Sequence, residues 1–285
     1  MSVKSVFSVV GLASAMLCGT AHAGLVNVGG VQWNPDFGLD FVSSGDVYER
    51  TAFIAGDEIS GYGQISKVNG SLNFCAAAGC ELTFTFGGFK LLDINPVNSD
   101  SAGGVYDDTG ALGFNGDRFA FSGGWIKVWV DTQTSFDSTS SASAGDGSLW
   151  LDLVAVPNIG VADAPVFMPS NATLIGQLTN LNVATLAGSG NAFLDVVGGM
   201  AASNFDTNNA LFQCSLTGGV YCPDVYFNSS FSYNALLAAA TGNTVTHSGS
   251  ADIKGNSIPE PGALALLGLG LAGLGLARRN KKAAS

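Results

Sequence analysis

Positive charge is scarce in this 285-residue chain. It carries 11 Lys and Arg against 22 Asp and Glu, and five of the basic residues (Lys4, Arg278, Arg279, Lys281 and Lys282) sit near the two ends. Between Gly24 and Ile258 six basic residues stand against 21 acidic ones, a net of −15. Such a surface repels polyanions, which excludes nucleic acid and anionic lipid as partners. Histidine is scarcer still. After His22 only His247 remains, and no G-x-S-x-G elbow accompanies it, so a Ser-His-Asp hydrolase lacks its parts. One histidine also leaves imidazole-based metal chemistry without ligands. Set among Thr244-Val245-Thr246 and Ser248-Gly249-Ser250, His247 reads as a neutral surface residue of a terminal strand. Glutamate in this stretch is limited to Glu49, Glu58 and Glu81. A two-carboxylate glycosidase is the one enzymatic reading the acids permit, through these glutamates or a pair such as Asp107-Asp108. No catalytic residue is assigned, and the chain is expected not to be an enzyme.

Scarce Lys and Glu, with abundant Gly, Ser, Thr, Asn and Phe, argue against helices and for short strands joined by turns. Alternation supports strands. Glu81–Phe86 puts Leu82, Phe84 and Phe86 on one face, and Gly87-Gly88 predicts a turn into a second arm, Phe89–Ile94. The pattern recurs where Arg118–Phe121 leads through Ser122-Gly123-Gly124 into Trp125–Val130, with Ile126, Val128 and Val130 sharing a face. Leu149–Val156, apolar on both faces except at Asp152, reads as a central strand. Phe193–Val197, Val225–Phe227, Phe231–Tyr233 and Thr244–Ile253 are further strands, and only Asn234–Ala240 reads as a short helix. Thr132–Gly147, nearly all small and polar, is read as a projecting insertion or a boundary. Without a composition change across it, one domain is expected. The fold class is all-β, a β-sandwich or jelly roll of short antiparallel strands.

Beyond Cys18 the chain has four cysteines, Cys75, Cys80, Cys214 and Cys222. In an exported chain an even number implies disulfides, and the short spacings favour the local pairs 75–80 and 214–222. A four-thiolate zinc site is disfavoured because seven residues separate the second pair, against the usual two to four. Asn98-Ser99-Asp100, Asp107-Asp108 and Asn115-Gly116-Asp117 gather oxygen donors of the kind Ca2+ prefers, without EF-hand spacing. Solvated turns explain the same residues more simply, so no metal site is assigned and no cofactor is expected, calcium being the one ligand the donors suit. Asn69, Asn171 and Asn228 head glycosylation-type sequons that read as turns. Trp33, Trp125, Trp129 and Trp150 are the aromatics on which a carbohydrate-binding module would stack sugar rings.

The two ends carry the most specific information. Lys4, the apolar stretch Val6–Leu17 and the small-x-small site Ala21-His22-Ala23 form a secretory signal peptide over residues 1–23, with Gly24 first in the mature chain. Cys18 follows the bulky Leu17, which disfavours a lipoprotein site. At the other end, Pro259-Glu260-Pro261 precedes a charge-free run, Gly262–Ala277, and then Arg278-Arg279-Asn280-Lys281-Lys282. The run has 16 residues, about 24 Å of helix at roughly 1.5 Å per residue. That is short of the ~20 residues usual for a span, and its glycines weaken it further. It reads as a provisional stop, with the basic residues held on the cytoplasmic side.

This order of rigid tripeptide, apolar segment and basic end resembles the PEP-CTERM sorting signal of Gram-negative bacteria that make exopolysaccharide. The resemblance covers residues 259–285, about a tenth of the chain, and departs from the pattern at Asn280 and Ala283-Ala284-Ser285. It implies that an exosortase, a membrane cysteine transpeptidase, recognises Pro259, Glu260 and Pro261 and removes the tail. The tail would cross the inner membrane transiently as a sorting helix. The expected protein is therefore an exported domain, residues 24–258, delivered to the cell surface or extracellular matrix. A structural or adhesive role with extracellular polysaccharide, in biofilm or floc formation, is expected ahead of a carbohydrate-binding module or a glycoside hydrolase.

Overall fold

Strands make up most of the regular structure between Gly24 and Ile258 in the computed structural model. It describes residues 24–35, 40–52, 56–76, 79–92, 118–157, 171–180, 186–207, 223–258 and 270. Eleven strands run through them: β1 (Val26–Val28), β2 (Val31–Trp33), β3 (Phe41–Arg50), β4 (Glu58–Val68), β5 (Glu81–Leu91), β6 (Arg118–Asp131), β7 (Ser148–Val156), β8 (Ala172–Asn180), β9 (Ala187–Gly198), β10 (Val225–Tyr233) and β11 (His247–Gly255). The expected short helix is present at Ala235–Ala240, where Asn234 caps the first turn by accepting a hydrogen bond from the Leu237 amide.

The architecture is a closed barrel, which corrects the expected sandwich. Strand order is β10-β11-β3-β4-β5-β6-β7-β9, and β9 pairs back onto β10, so eight antiparallel strands close the ring. β8 shares a slot with β7. The first half of β6 pairs with β8 and the second half with β7, while β9 does the same on the other side, so β7 and β8 lie end to end. Closure removes the open edges that a sandwich would leave.

Tight closure depends on glycine facing phenylalanine across strands. Gly61 is opposite Phe86, Gly63 opposite Phe84, Gly176 opposite Phe119 and Gly188 opposite Phe231. In each pair the ring occupies the space where a glycine Cβ would stand. The barrel interior is thus filled from one strand at a time, and the bare glycine strand can bend there. The same principle overturns two expected turns. Gly87-Gly88 and Ser122-Gly123-Gly124 lie within the continuous strands β5 and β6, facing one another across the ladder. Gly88, Gly123 and Gly124 have φ of 76°, 69° and 106°, so both strands kink at the same level and neither turns back. β10 likewise runs unbroken through the two separate strands expected at 225–227 and 231–233.

One mouth is plugged by the β1–β2 hairpin. Trp33, Phe41, Trp150 and Phe205 meet there with ring centroids 5.2–6.0 Å apart, all at most 2% exposed. Trp150 Nε1 donates to the Val28 carbonyl at 2.9 Å, so the plug has no stranded donor. Thr132–Gly147 is not a projecting insertion. Phe136 packs against Tyr48 and Tyr62 on the outer wall, Thr83 Oγ1 donates to the Ala144 carbonyl, and Tyr62 donates to the Ser138 carbonyl. No helix among the described residues is long and apolar enough to cross a membrane. The sorting helix expected at 262–277 lies outside them except for Gly270.

Candidate functional site

The C-terminal strand leads straight to the sorting tripeptide, and the chain is anchored up to the residue before it. The Ser257 amide donates to Asp40 Oδ2 at 3.0 Å, and Trp33 Nε1 donates to Ser257 Oγ at 3.0 Å. The Ile258 amide then donates to the Asn204 carbonyl at 2.7 Å. Ser257 is buried and bonded to the plug, so the last residues before Pro259 belong to the folded barrel. Pro259, Glu260 and Pro261 lie outside the described residues. So do the basic residues Arg278, Arg279, Lys281 and Lys282, the cleavage residues Ala21 and Ala23, Cys214 and Cys222, and the oxygen-rich stretch 98–117. Cys75 and Cys80 are joined by a disulfide beside β2, where the Gln32 amide donates to the Phe74 carbonyl. A ring this small contributes about 2 kcal/mol by chain entropy.

The opposite mouth holds a buried pair. Glu49 on β3 and His247 on β11 are register partners, 5% and 2% exposed. His247 is therefore not the surface residue expected. Thr51 and Thr246 hydroxyls lie 2.6 and 2.8 Å from its Nδ1, Phe231 and Tyr233 rings pack edge-on against it, and Nε2 has no partner among the described residues. Burial pushes its pKa down to about 4. The Glu49 carboxyl lines a cavity of about 30 Å³ with Thr51, Ser229, Phe119, Leu174 and Phe231. Burial without a charged neighbour pushes its pKa up to about 8, so it is mostly protonated at neutral pH. The cavity has room for roughly two waters, which is far less than a sugar ring needs. Sequence reading missed this pair, yet the signal was there. Glu49 has the same strand parity as Val47, and His247 the same parity as Ala251 and Ile253, all core residues.

Several other carboxylates among the described residues have structural partners. Glu81 accepts from Gln64 Nε2, the Ser135 amide and the Phe136 amide, and holds the 132–147 segment to the wall. Glu58 accepts from the Gly88 amide at 2.7 Å and supports the kink in β5. Asp224 accepts from Val196 and Thr207, and beside it Asp195 rises to about 6, through burial first and then its hydrogen bond to Asp224. Among the described residues no group of three potential ligands could hold a metal ion. The tryptophans divide. Trp33 and Trp150 are core, and Trp129 is partly buried with Nε1 bonded to Thr85. Trp125 is 37% exposed, lies against Gly87 and Gly88, and has Lys127 Nζ 5.7 Å from its ring centroid. Of the sequon asparagines, Asn69 and Asn228 are engaged, the first with Val42 and Asp40 and the second with Asn191, while Asn171 is exposed.

Taken together, the fold and its anchored C-terminal end define an all-β barrel continuing without a spacer into a sorting tail. Compared with known families, residues 257–281 match the PEP-CTERM protein-sorting motif. The chain therefore carries that motif at its C-terminus, and the motif implies an exported protein that is sorted to the cell surface and processed by an exosortase. No curated protein and no solved structure matches the chain.

Proposed function

We propose that the barrel is a non-enzymatic building piece of the cell surface or extracellular matrix, structural or adhesive in biofilm or floc formation, with extracellular polysaccharide as its partner. The observation that carries this reading is the sorting motif at 257–281, whose first two residues belong to the barrel wall and plug. A domain joined this directly to its sorting tail has no spacer in which to work apart from the cell envelope. The partner assignments of the glutamates support a passive role. Glu58 and Glu81 serve the fold, and Glu49 faces a space too small for substrate. Deleting Pro259–Ser285 is expected to release the protein into the medium and abolish cell aggregation. Unchanged aggregation in that deletion strain would show that the tail does not connect this protein to the matrix.

A second reading has one observation in its favour. Trp125 is 37% exposed beside the Lys127–Asp152 ion pair, an aromatic and a charged pair together of the kind that can hold a sugar. It is a single platform, because Trp33 and Trp150 are buried in the plug. Direct sugar recognition would make retention on a polysaccharide column sensitive to Trp125→Ala.

A further inference from the structure

We propose that the plugged mouth of the barrel is a membrane-contacting face, seated on the lipid surface through apolar side chains while the tail is still attached. This rests on the reading that residues 262–277 enter the bilayer. Among the described residues eight large apolar side chains are exposed, and four of them gather at one end. Leu25 (61% exposed) immediately precedes β1, and Leu72 (68%) lies in the connection that pairs with β2. Met200 (46%) lies against Gly29 of the hairpin turn, and Ile258 (41%) is tied to Asn204 beside the plug. All four belong to the segments that build the plugged mouth. Among the described residues the opposite mouth has Leu236 as its one exposed large apolar side chain, and Trp125, Val154 and Val197 lie out on the wall strands.

The chain itself names the occupant. Only Pro259-Glu260-Pro261 separates Ile258 from the charge-free run, and three extended residues reach about 10 Å. Ile258 is hydrogen-bonded, so no slack can be drawn from the barrel. The last bonded residue of the plugged end is thereby a tripeptide away, along the chain, from the apolar run. Four partly exposed apolar side chains bind a bilayer only weakly by themselves. Held there by the tail, their local concentration is high enough for contact to persist. With a net of −15 on the body, the contact is apolar and suits zwitterionic lipid.

The test uses the full chain in phosphatidylcholine vesicles, with Leu72→Trp at the plugged mouth and Leu236→Trp at the other as probes. Flotation with the vesicles reads the tail, and quenching of the added tryptophan by brominated phosphatidylcholine reads the barrel end. The expected result is flotation of both variants, with the Leu72→Trp signal quenched at least twofold more than the Leu236→Trp signal. Flotation with equal or absent quenching at the two positions would overturn the proposed face and leave the tail reading intact. Failure to float would overturn the tail reading and the face with it. Near-ultraviolet circular dichroism matching the parent chain confirms that each variant is folded.

Discussion

Glu49 keeps its proton well above the usual carboxylate range because burial removes water and no cation replaces it. Its pKa is about 8 in the folded barrel against a usual 4.5, so between those values the unfolded chain releases a proton that the barrel retains. Stability therefore falls as pH rises from 4.5 to 8, by up to about 5 kcal/mol in total. His247 acts in the opposite sense. With a folded pKa of about 4 against 6.5, it makes stability rise with pH between 4 and 6.5. The two slopes cancel from 4.5 to 6.5, and only the Glu49 loss remains from 6.5 to 8. Glu49→Gln is expected to abolish that decline and make the variant more stable than the parent at pH 8. Urea unfolding at pH 5, 6.5, 8 and 9 checks this. Parallel profiles for parent and variant above pH 6.5 would mean that the carboxyl is already ionised in the barrel.

At the scale of elements, the bends are set by which strand supplies the interior bulk. β4 reads poorly in the sequence because two of its inward positions are Gly61 and Gly63, and their space is filled by Phe86 and Phe84 of β5. A Cβ on Gly63 would overlap the Asp46 carbonyl and the Phe84 ring. Gly63→Ala is expected to cost about 1–3 kcal/mol, lowering the melting temperature by roughly 2–12 °C. Gly70→Ala, also a glycine change but in open space with φ 75°, is expected to cost less, since only backbone strain opposes it. Equal losses at both positions in thermal melts would exclude the filled-glycine account. The same pairing explains what the sequence made legible. β5 and β6 are readable from alternation, β7 and β9 from their apolar runs, and Asn234 announces the short helix at Ala235–Ala240. β4 and β8 were hidden because glycine occupies inward positions whose bulk comes from a neighbour, and β3 because Ser43 and Gly45 stand at two of its inward positions. The glycine pairs at 87–88 and 123–124 resembled turns, because one strand alone does not reveal that its partner kinks at the same level. A sandwich was the natural expectation while β9–β10 pairing, a contact between residues 31 to 45 positions apart, was not readable from local pattern.

At the scale of the whole molecule, charge decides what the exported barrel can join. Residues 24–258 carry a net of −15 with only six cations. Two of those cations, Lys127 and Lys254, are already paired with Asp152 and Asp252. Copies of the barrel therefore repel one another and repel any acidic polysaccharide, most strongly at low ionic strength, where the Debye length is about 30 Å at 0.01 M. Joining two polyanions needs a bridging cation, and carboxylates are hard oxygen donors of the kind Ca2+ takes. If the barrel serves an acidic matrix, its co-sedimentation with a uronic-acid polysaccharide is absent in chelator at 0.01 M salt and appears with millimolar Ca2+. Monovalent salt at the same ionic strength should not substitute, because screening lowers the repulsion without supplying a bridge. Co-sedimentation that is equally strong in chelator would instead point to a neutral contact, and Trp125→Ala would then be the variant to lose it.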